Sequence, residues 1–372
     1  MRPARRRLLQ ALAAGAAGAC TTAARADAID DTVSPDRPLD FPRDHGAHAG
    51  TRIEWWYATG WLRAAPDAPP IGWQLTFFRS RTALAATLPG RFAPRQLLFA
   101  HAAISDIGAR RHRDAQRVAR WSGDAAQPEA HARSSDTDVV IGPWSLRRGA
   151  DGRYAARLPA PEAGFTLALT LAPTQPLLLQ GQRGHSRKGP LPQQASHYYS
   201  QPQLAAEARL QLDGRSRTLA GRGWLDHEWS NELMAPGVIG WDWIGINLHD
   251  GGALTAFVLR RADGSVVWAG GSHRGADGVL RIFGDHEVRF EPGREWLSPG
   301  SGARYPVEWT ITTPAGRFAL AALLDAQELD SSASTGAIYW EGLSALRDPA
   351  TGRELGLGYL EMTGRKTALK LG

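Results

Sequence analysis

The 372-residue chain has one cysteine, Cys20, and three methionines. Cys20 lies inside an amino-terminal segment that reads as an export signal, so a mature chain starting at Asp27 has neither thiol nor disulfide. Its stability then has to come from packing. Long runs of like charge are missing too, which argues against a disordered or coiled chain. No Gly-x-Ser-x-Gly surrounds Ser186, so a serine-hydrolase elbow is not supported. The glycine-rich stretch 181–190 lacks the spacing of a phosphate-binding loop and no helix follows it, so it is an ordered bridge.

A basic surface is missing as well, despite a net charge of +6. The first 26 residues hold Arg2, Arg5, Arg6, Arg7 and Arg25 and no acid, so the 43 basic residues fall to 38 in the mature chain, against 37 acidic ones. Without a basic patch, nucleic acid is not an expected partner. The export reading rests on Arg5-Arg6-Arg7, the apolar stretch 8–19 and Ala24-Arg25-Ala26 as a small-x-small cleavage site. That stretch is too short for a final membrane anchor. Its arginines suit a twin-arginine route as well as an ordinary one. Lipidation of Cys20 is the alternative to simple cleavage, although a larger aliphatic residue normally stands where Ala17 does. The expected location is the periplasm or the exterior.

What is abundant is tryptophan, with 14, alongside 41 glycines and 24 prolines. That composition marks a turn-rich β protein. Residues 27–50 read as an extended lead-in whose His45 and His48 are surface-loop residues, since Gly46 and Gly50 argue against the helix that a metal spacing of three needs. Residues 52–62 and 72–79 alternate as consecutive antiparallel strands, with Ile53, Trp55, Tyr57, Thr59 and Trp61 on one face of the first. The polar, irregular stretch 110–138 reads as a surface wrapping. A second set of strands begins near Glu207, punctuated by Asp213-Gly214, Asp250-Gly251 and Asp263-Gly264 turns. Residues 54–62 are echoed by 242–248, as though one β unit were used twice. The expected fold is all-β, with antiparallel barrels or sandwiches in two domains, 51–205 and 206–372, after a signal at 1–26 and the lead-in.

Chemistry concentrates in residues 223–229, Gly-Trp-Leu-Asp-His-Glu-Trp. In a strand, Trp224, Asp226 and Glu228 share one face while Leu225, His227 and Trp229 share the other. A carboxyl against aromatic walls loses the solvation of its ionised form and keeps a proton for donation near neutral pH; a neighbouring Glu228 would push it further. The same rhythm in 196–200 points His197 and Tyr199 one way and Tyr198 the other. A structural carboxyl bonded to backbone or arginine is the competing reading. Metal binding is not expected, because a strand turns His227 away from both acids.

Seven segments taken together resemble the carotenoid 1,2-hydratase/AttH-like family of secreted lipocalin-like proteins. They are Asp40-Phe41-Pro42-Arg43-Asp44-His45-Gly46, Glu54-Trp55-Trp56-Tyr57, Gln74-Leu75-Thr76-Phe77-Phe78-Arg79, Ala195-Ser196-His197-Tyr198-Tyr199-Ser200, Trp224-Leu225-Asp226-His227-Glu228-Trp229-Ser230, Gly240-Trp241-Asp242-Trp243 and Tyr339-Trp340-Glu341-Gly342. The resemblance implies two lipocalin-like β domains and cofactor-free addition of water to a terminal isoprenoid double bond. It implies Asp226 as the acid, with His197, Tyr199 and Trp224 around it; Glu228, Tyr198, Trp229, Trp241, Trp243, Trp55 and Trp56 are the candidate ligand contacts. His227 stands where the family usually has arginine. Some members look like accessory proteins of ABC exporters, so the partners to expect are a hydrophobic isoprenoid or lipid and, for a non-enzymatic carrier, an ABC transporter.

Overall fold

A computed structural model describes residues 31–82, 95–124 and 126–369. The expected export signal lies outside them. Thirteen strands make the first sheet: β1 (Ile53–Arg63), β2 (Ile71–Arg81), β3 (Gln96–Asp106), β4 (Arg111–Trp121), β5 (Ala130–Ala132), β6 (Asp138–Ile141), β7 (Trp144–Arg148), β8 (Tyr154–Ala160), β9 (Phe165–Ala172), β10 (Leu178–Leu179), β11 (His185–Arg187), β12 (Ala195–Leu212) and β13 (Arg215–Glu232). Their order is β4-β3-β2-β1-β13-β12-β9-β8-β7-β6-β5, with β10 and β11 both on β12, and the end strands β4 and β5 meet. All pairs are antiparallel, and the sheet forms a nearly closed, lipocalin-like barrel.

The second sheet holds β14 (Gly240–Leu248), β15 (Ala253–Arg260), β16 (Val266–Arg274), β17 (Leu280–Phe283) and β18 (Arg289–Pro292). A separate hairpin, β19 (Glu295–Leu297) with β20 (Arg304–Pro306), follows. Then come β21 (Glu308–Thr313), β22 (Gly316–Ala322), β23 (Glu328–Ser331), β24 (Ala337–Arg347) and β25 (Glu354–Met362). The order is β17-β16-β15-β14-β25-β24-β22-β21-β18, with β23 on β24. Each sheet starts with a four-strand meander, and its first strand pairs with its last, β1 with β13 and β14 with β25. The echo between 54–62 and 242–248 thus falls on topologically matching strands. The changeover between sheets lies between Glu232 and Gly240, so the boundary expected at 205/206 falls inside β12. That strand is 18 residues long and continues through a Gly214 turn into β13 without leaving its sheet. The stretch 110–138 is not a surface wrapping either. Arg111–Trp121 pairs with β3 along its whole length, and only Ala115 and Trp121 turn fully inward, which disguises it as irregular.

Each sheet has its own apolar interior. Trp56, Trp73, Leu75 and Phe77 belong to the first and Ile244, Ile246, Leu254 and Leu360 to the second. A third cluster, with Tyr57, Trp61 and Trp224 from one sheet and Trp243, Phe257, Leu343 and Tyr359 from the other, packs the two back to back. Gln203 pins this contact. Its backbone takes a left-handed φ of 57°, its N–H donates to Asn247 Oδ1 at 2.7 Å, and its Nε2 donates to the carbonyls of Leu248 and Gly252. Asn247 Nδ2 returns a bond to the Gly223 carbonyl. Strain at one residue is thus held by polar ties to the opposite sheet.

The end of the lead-in, residues 44–48, is buried rather than a surface loop. Asp44, His45 and His48 are each at most 3% exposed, because the first barrel offers them polar partners. Trp56 Nε1 and Thr137 Oγ1 donate to the His45 carbonyl. Glu54 accepts from the His48 backbone and Nδ1, from His227 Nε2 and from Arg79 Nε at 2.7 Å. Arg79 spends its remaining N–H groups on Thr51, His48 and Gln96. A buried charge that loses its partner costs far more than the pair contributes. Arg79→Ala is therefore expected to lower unfolding stability by about 3–5 kcal/mol, measured as the urea midpoint at unchanged slope. A loss below about 1 kcal/mol would show that Glu54 does not depend on this guanidinium.

Candidate active site

Antiparallel register decides which side chains meet. Opposite Asp226 lie Tyr57 on β1 and Ser200 on β12; opposite Glu228 lie Trp55 and Tyr198. Directly paired residues share a face, so these six stand on the side of the first barrel that meets the second sheet. Two bulges on β12, at Ala195/His197 and Gln201/Leu204, bracket the segment that supplies Tyr198 and Ser200. Asp226 is 3% exposed. Its carboxyl accepts three hydrogen bonds, from Tyr198 Oη at 2.7 Å, Ser200 Oγ at 2.5 Å and Trp224 Nε1 at 2.7 Å.

From the second sheet, β14 contributes Trp241 and Trp243, β24 Tyr339 and Glu341, and β25 Glu361. Trp243 Nε1 donates to Tyr198 Oη at 3.3 Å, and its ring meets Tyr57 and Trp224 edge-on. A Cβ on Gly245 would run into the indoles of Trp243 and Trp224, so glycine lets them approach. Between the walls lies a cavity of about 1000 Å³, whose lining includes Trp55, Tyr57, Tyr198, Asp226, Glu228, Trp241 and Trp243. That is at the upper end of ligand-pocket sizes.

Charge in this cavity is unbalanced. Lys188 Nζ lies 3.0 Å from Glu228 Oε1 and over the rings of Tyr198 and Phe257, and Ser196 Oγ also bonds Glu228. Among the described residues, Asp226 makes no ion pair. Burial pushes its carboxyl up to about 7; its three donors pull the other way and the Glu228 charge adds to the rise. Three donors aimed at a buried carboxyl make the anion left after proton loss tolerable, so the group holds a proton near neutrality and can still release it.

The opposite face of the same wall tells a different story. His197 and Tyr199, expected beside Asp226, point into the first barrel with His227, as do Trp56 and Trp229. Strand alternation is the reason: Tyr198 takes the Asp226 side, so its neighbours cannot. His197 stacks on Trp229, and Tyr199 Oη bonds His45 Nδ1 at 2.7 Å and His227 Nδ1 at 3.2 Å. Burial holds His45 down at about 3 and His197 at about 4. His48, Glu54 and His227 bring three donor atoms within 4.8 Å of one another, a set that sequence reasoning did not assemble. Arg79 already supplies a cation 2.7 Å from Glu54, and His48 Nε2 faces Asp44 at 3.0 Å, so these groups suit a hydrogen-bond network better than a divalent ion.

The AttH-like family profile matches residues 32–365. The chain belongs to the AttH-like family. A Nitrosomonas europaea crystal structure assigned to AttH is 44% identical and superposes with a TM-score of 0.81 over 90% of this chain and 99% of that one. Kievitone hydratase from Nectria haematococca shares the fold at 14% identity, TM-score 0.65, over 89% of this chain and 94% of its own. CghA with Sch210972 shares it at 14% identity and 0.52, over 87% and 89%. No curated protein matches the sequence.

In this AttH-like protein, the cavity residues that escaped sequence reasoning include Lys188, His101, Glu341 and Glu361. Lys188 belongs to the stretch read as a bridge, and its one signal was a basic residue between glycine turns. His101 Nδ1 pairs with Tyr339 Oη at 2.8 Å across the two sheets, which no local pattern announces. Removing one donor from Asp226 tests the balance of forces around it. Tyr198→Phe is expected to raise the Asp226 titration midpoint by about one pH unit, the equivalent of one hydrogen bond to a charged group, read from the carboxyl C=O infrared band. A downward move would contradict the assignment of Tyr198 as a donor to the anion.

Proposed function

We propose that this protein binds a long apolar molecule, an isoprenoid or lipid, between its two sheets and adds water across a carbon–carbon double bond, with Asp226 as the acid. The observation that carries the reading is a proton-holding carboxyl opening on an aromatic cavity of about 1000 Å³. Protonating a trisubstituted alkene forms a C–H bond from its electron pair and leaves a tertiary cation. The faces of Trp55, Tyr57 and Trp243 supply negative π density where that cation develops, and excluded water keeps the interaction strong. Water then adds to the cation and loses a proton. No cofactor is needed for this sequence. The name of kievitone hydratase, a protein of the same fold, accords with water addition on such a scaffold.

Export to the periplasm belongs to the same proposal, since the arginine-led segment at 1–26 suits it. The competing reading is a non-enzymatic lipid carrier serving an ABC exporter, and the two part company at one side chain. Asp226→Asn is expected to cut hydration of an isoprenoid by at least about 100-fold while leaving ligand retention unchanged. Lipid that co-purifies equally with wild type and variant, with no isoprenoid turned over by either, would favour the carrier. The acid acts in its protonated form, so kcat/KM should fall about tenfold per unit above about pH 7. A rate that rises through pH 8 would exclude Asp226 as the proton donor.

A further inference from the structure

Across the cavity from Asp226 stands a second pair of acids. Glu341 on β24 and Glu361 on β25 are directly opposite each other in register, and Trp243 is the partner of Glu361 on its other side. Both line the cavity. Trp241 Nε1 donates to Glu361 Oε2 at 3.0 Å. Glu341, 2% exposed, is left with Oε1 unpartnered; so is the Oη of Tyr57, 6% exposed, which points toward Glu341 without reaching hydrogen-bonding geometry. Buried polar atoms without partners are uncommon and call for an explanation. Tyr57 is also the residue directly opposite Asp226. Glu341 and Glu361 line the cavity beside Tyr57, so a water held at their carboxyls lies within the space the acid faces.

We propose that Glu341 and Glu361, with Tyr57, form the base end of this site: they hold one water and take a proton from it. This rests on the hydration reading above. Burial raises both carboxyls, Glu361 to about 7, and the charge of Glu361 raises Glu341 further, so the pair gives up its protons in two steps and from about neutrality upward holds one acid beside one carboxylate. Such a pair is a proton acceptor that water alone is not. Asp226 gives its proton to the less substituted alkene carbon, the water oxygen donates a lone pair to the tertiary cation, and the resulting oxonium loses a proton to the ionised member of the pair. Asp226 ends as a carboxylate and the pair as two acids. Transfer of one proton from the pair to Asp226 restores the starting state.

The test uses the full exported protein and geranylgeraniol, an isoprenoid alcohol with a terminal trisubstituted double bond, in D₂O. Hydrated product and deuterium in the recovered alkene are followed together for wild type, D226N, E341Q and E361Q. Both glutamine variants should lose hydration by about 100-fold or more yet still place deuterium in the recovered alkene, because the proton-donating half remains; D226N should lose both. Hydration by E341Q and E361Q within about threefold of wild type, with D226N inactive, would overturn the base assignment and leave the hydration reading standing. A wild type that neither hydrates nor exchanges would remove both. Should the glutamine variants fail to fold by circular dichroism, Tyr57→Phe takes their place: a loss of hydration with exchange retained supports the water site, and wild-type hydration refutes it.

Discussion

A wall buried on both sides governs this molecule. Strands β1, β12 and β13 are covered by the first barrel's interior on one face and by the second sheet on the other, and residues 223–230 of β13 are buried without interruption. Because side chains alternate with a period of two, adjacent residues enter unlike environments. Asp226 goes to an aromatic cavity and His227 to a polar barrel interior. A slip of one residue would exchange them and leave a carboxylate among histidines and an imidazole among indoles. The register is held by interactions distant in sequence: His227 to Glu54, Trp224 and Tyr198 to Asp226, Gln203 to the second sheet.

The two faces also show how one functional group acquires opposite behaviour. Glu54 is as buried as Asp226, yet the Arg79 guanidinium and two imidazoles hold it well below the usual carboxylate range against its desolvation. Asp226 receives hydrogen bonds but no cation, and burial wins. Counting hydrogen bonds alone would rank the two alike. The deciding quantity is formal positive charge within contact distance, which Glu54 has in Arg79 and Asp226 lacks.

Much of this could be read from the amino-acid sequence, and the limits follow a physical line. The division of Trp224, Asp226 and Glu228 from Leu225, His227 and Trp229 is a local property of extended backbone, and it holds. So does the division of Tyr198 from His197 and Tyr199. What a face meets is not local. Placing His197 and Tyr199 with Asp226 requires a register between β12 and β13 that alternation does not supply, and that register selects Tyr198 instead. His45 and His48 looked like loop residues because their partners, Tyr199 and Glu54, reach them only after folding. Glu341 and Glu361 come from strands that lie next to each other only once β24 and β25 pair; each alone resembles the outward acid of an amphipathic strand.

The distribution of protons bears on whether the cavity is a container or a reactor. A vessel for neutral lipid gains nothing from buried carboxyls, and apolar replacements would fill the same walls at lower cost. Moving Asp226 from an ordinary 3.8 to about 7 corresponds to about 4 kcal/mol of folding free energy forgone above pH 7. The sign follows from a raised folded value: the penalty is absent below the unfolded midpoint and grows as pH climbs toward 7. Glu341 and Glu361 are raised as well and add to it. A native domain has only about 5–15 kcal/mol of net stability, so such a penalty is large on that scale. Strain of this size concentrated in one cavity, while the barrel interior next door neutralises its own acid with Arg79, is what the proposed proton transfer would require, at the expense of stability.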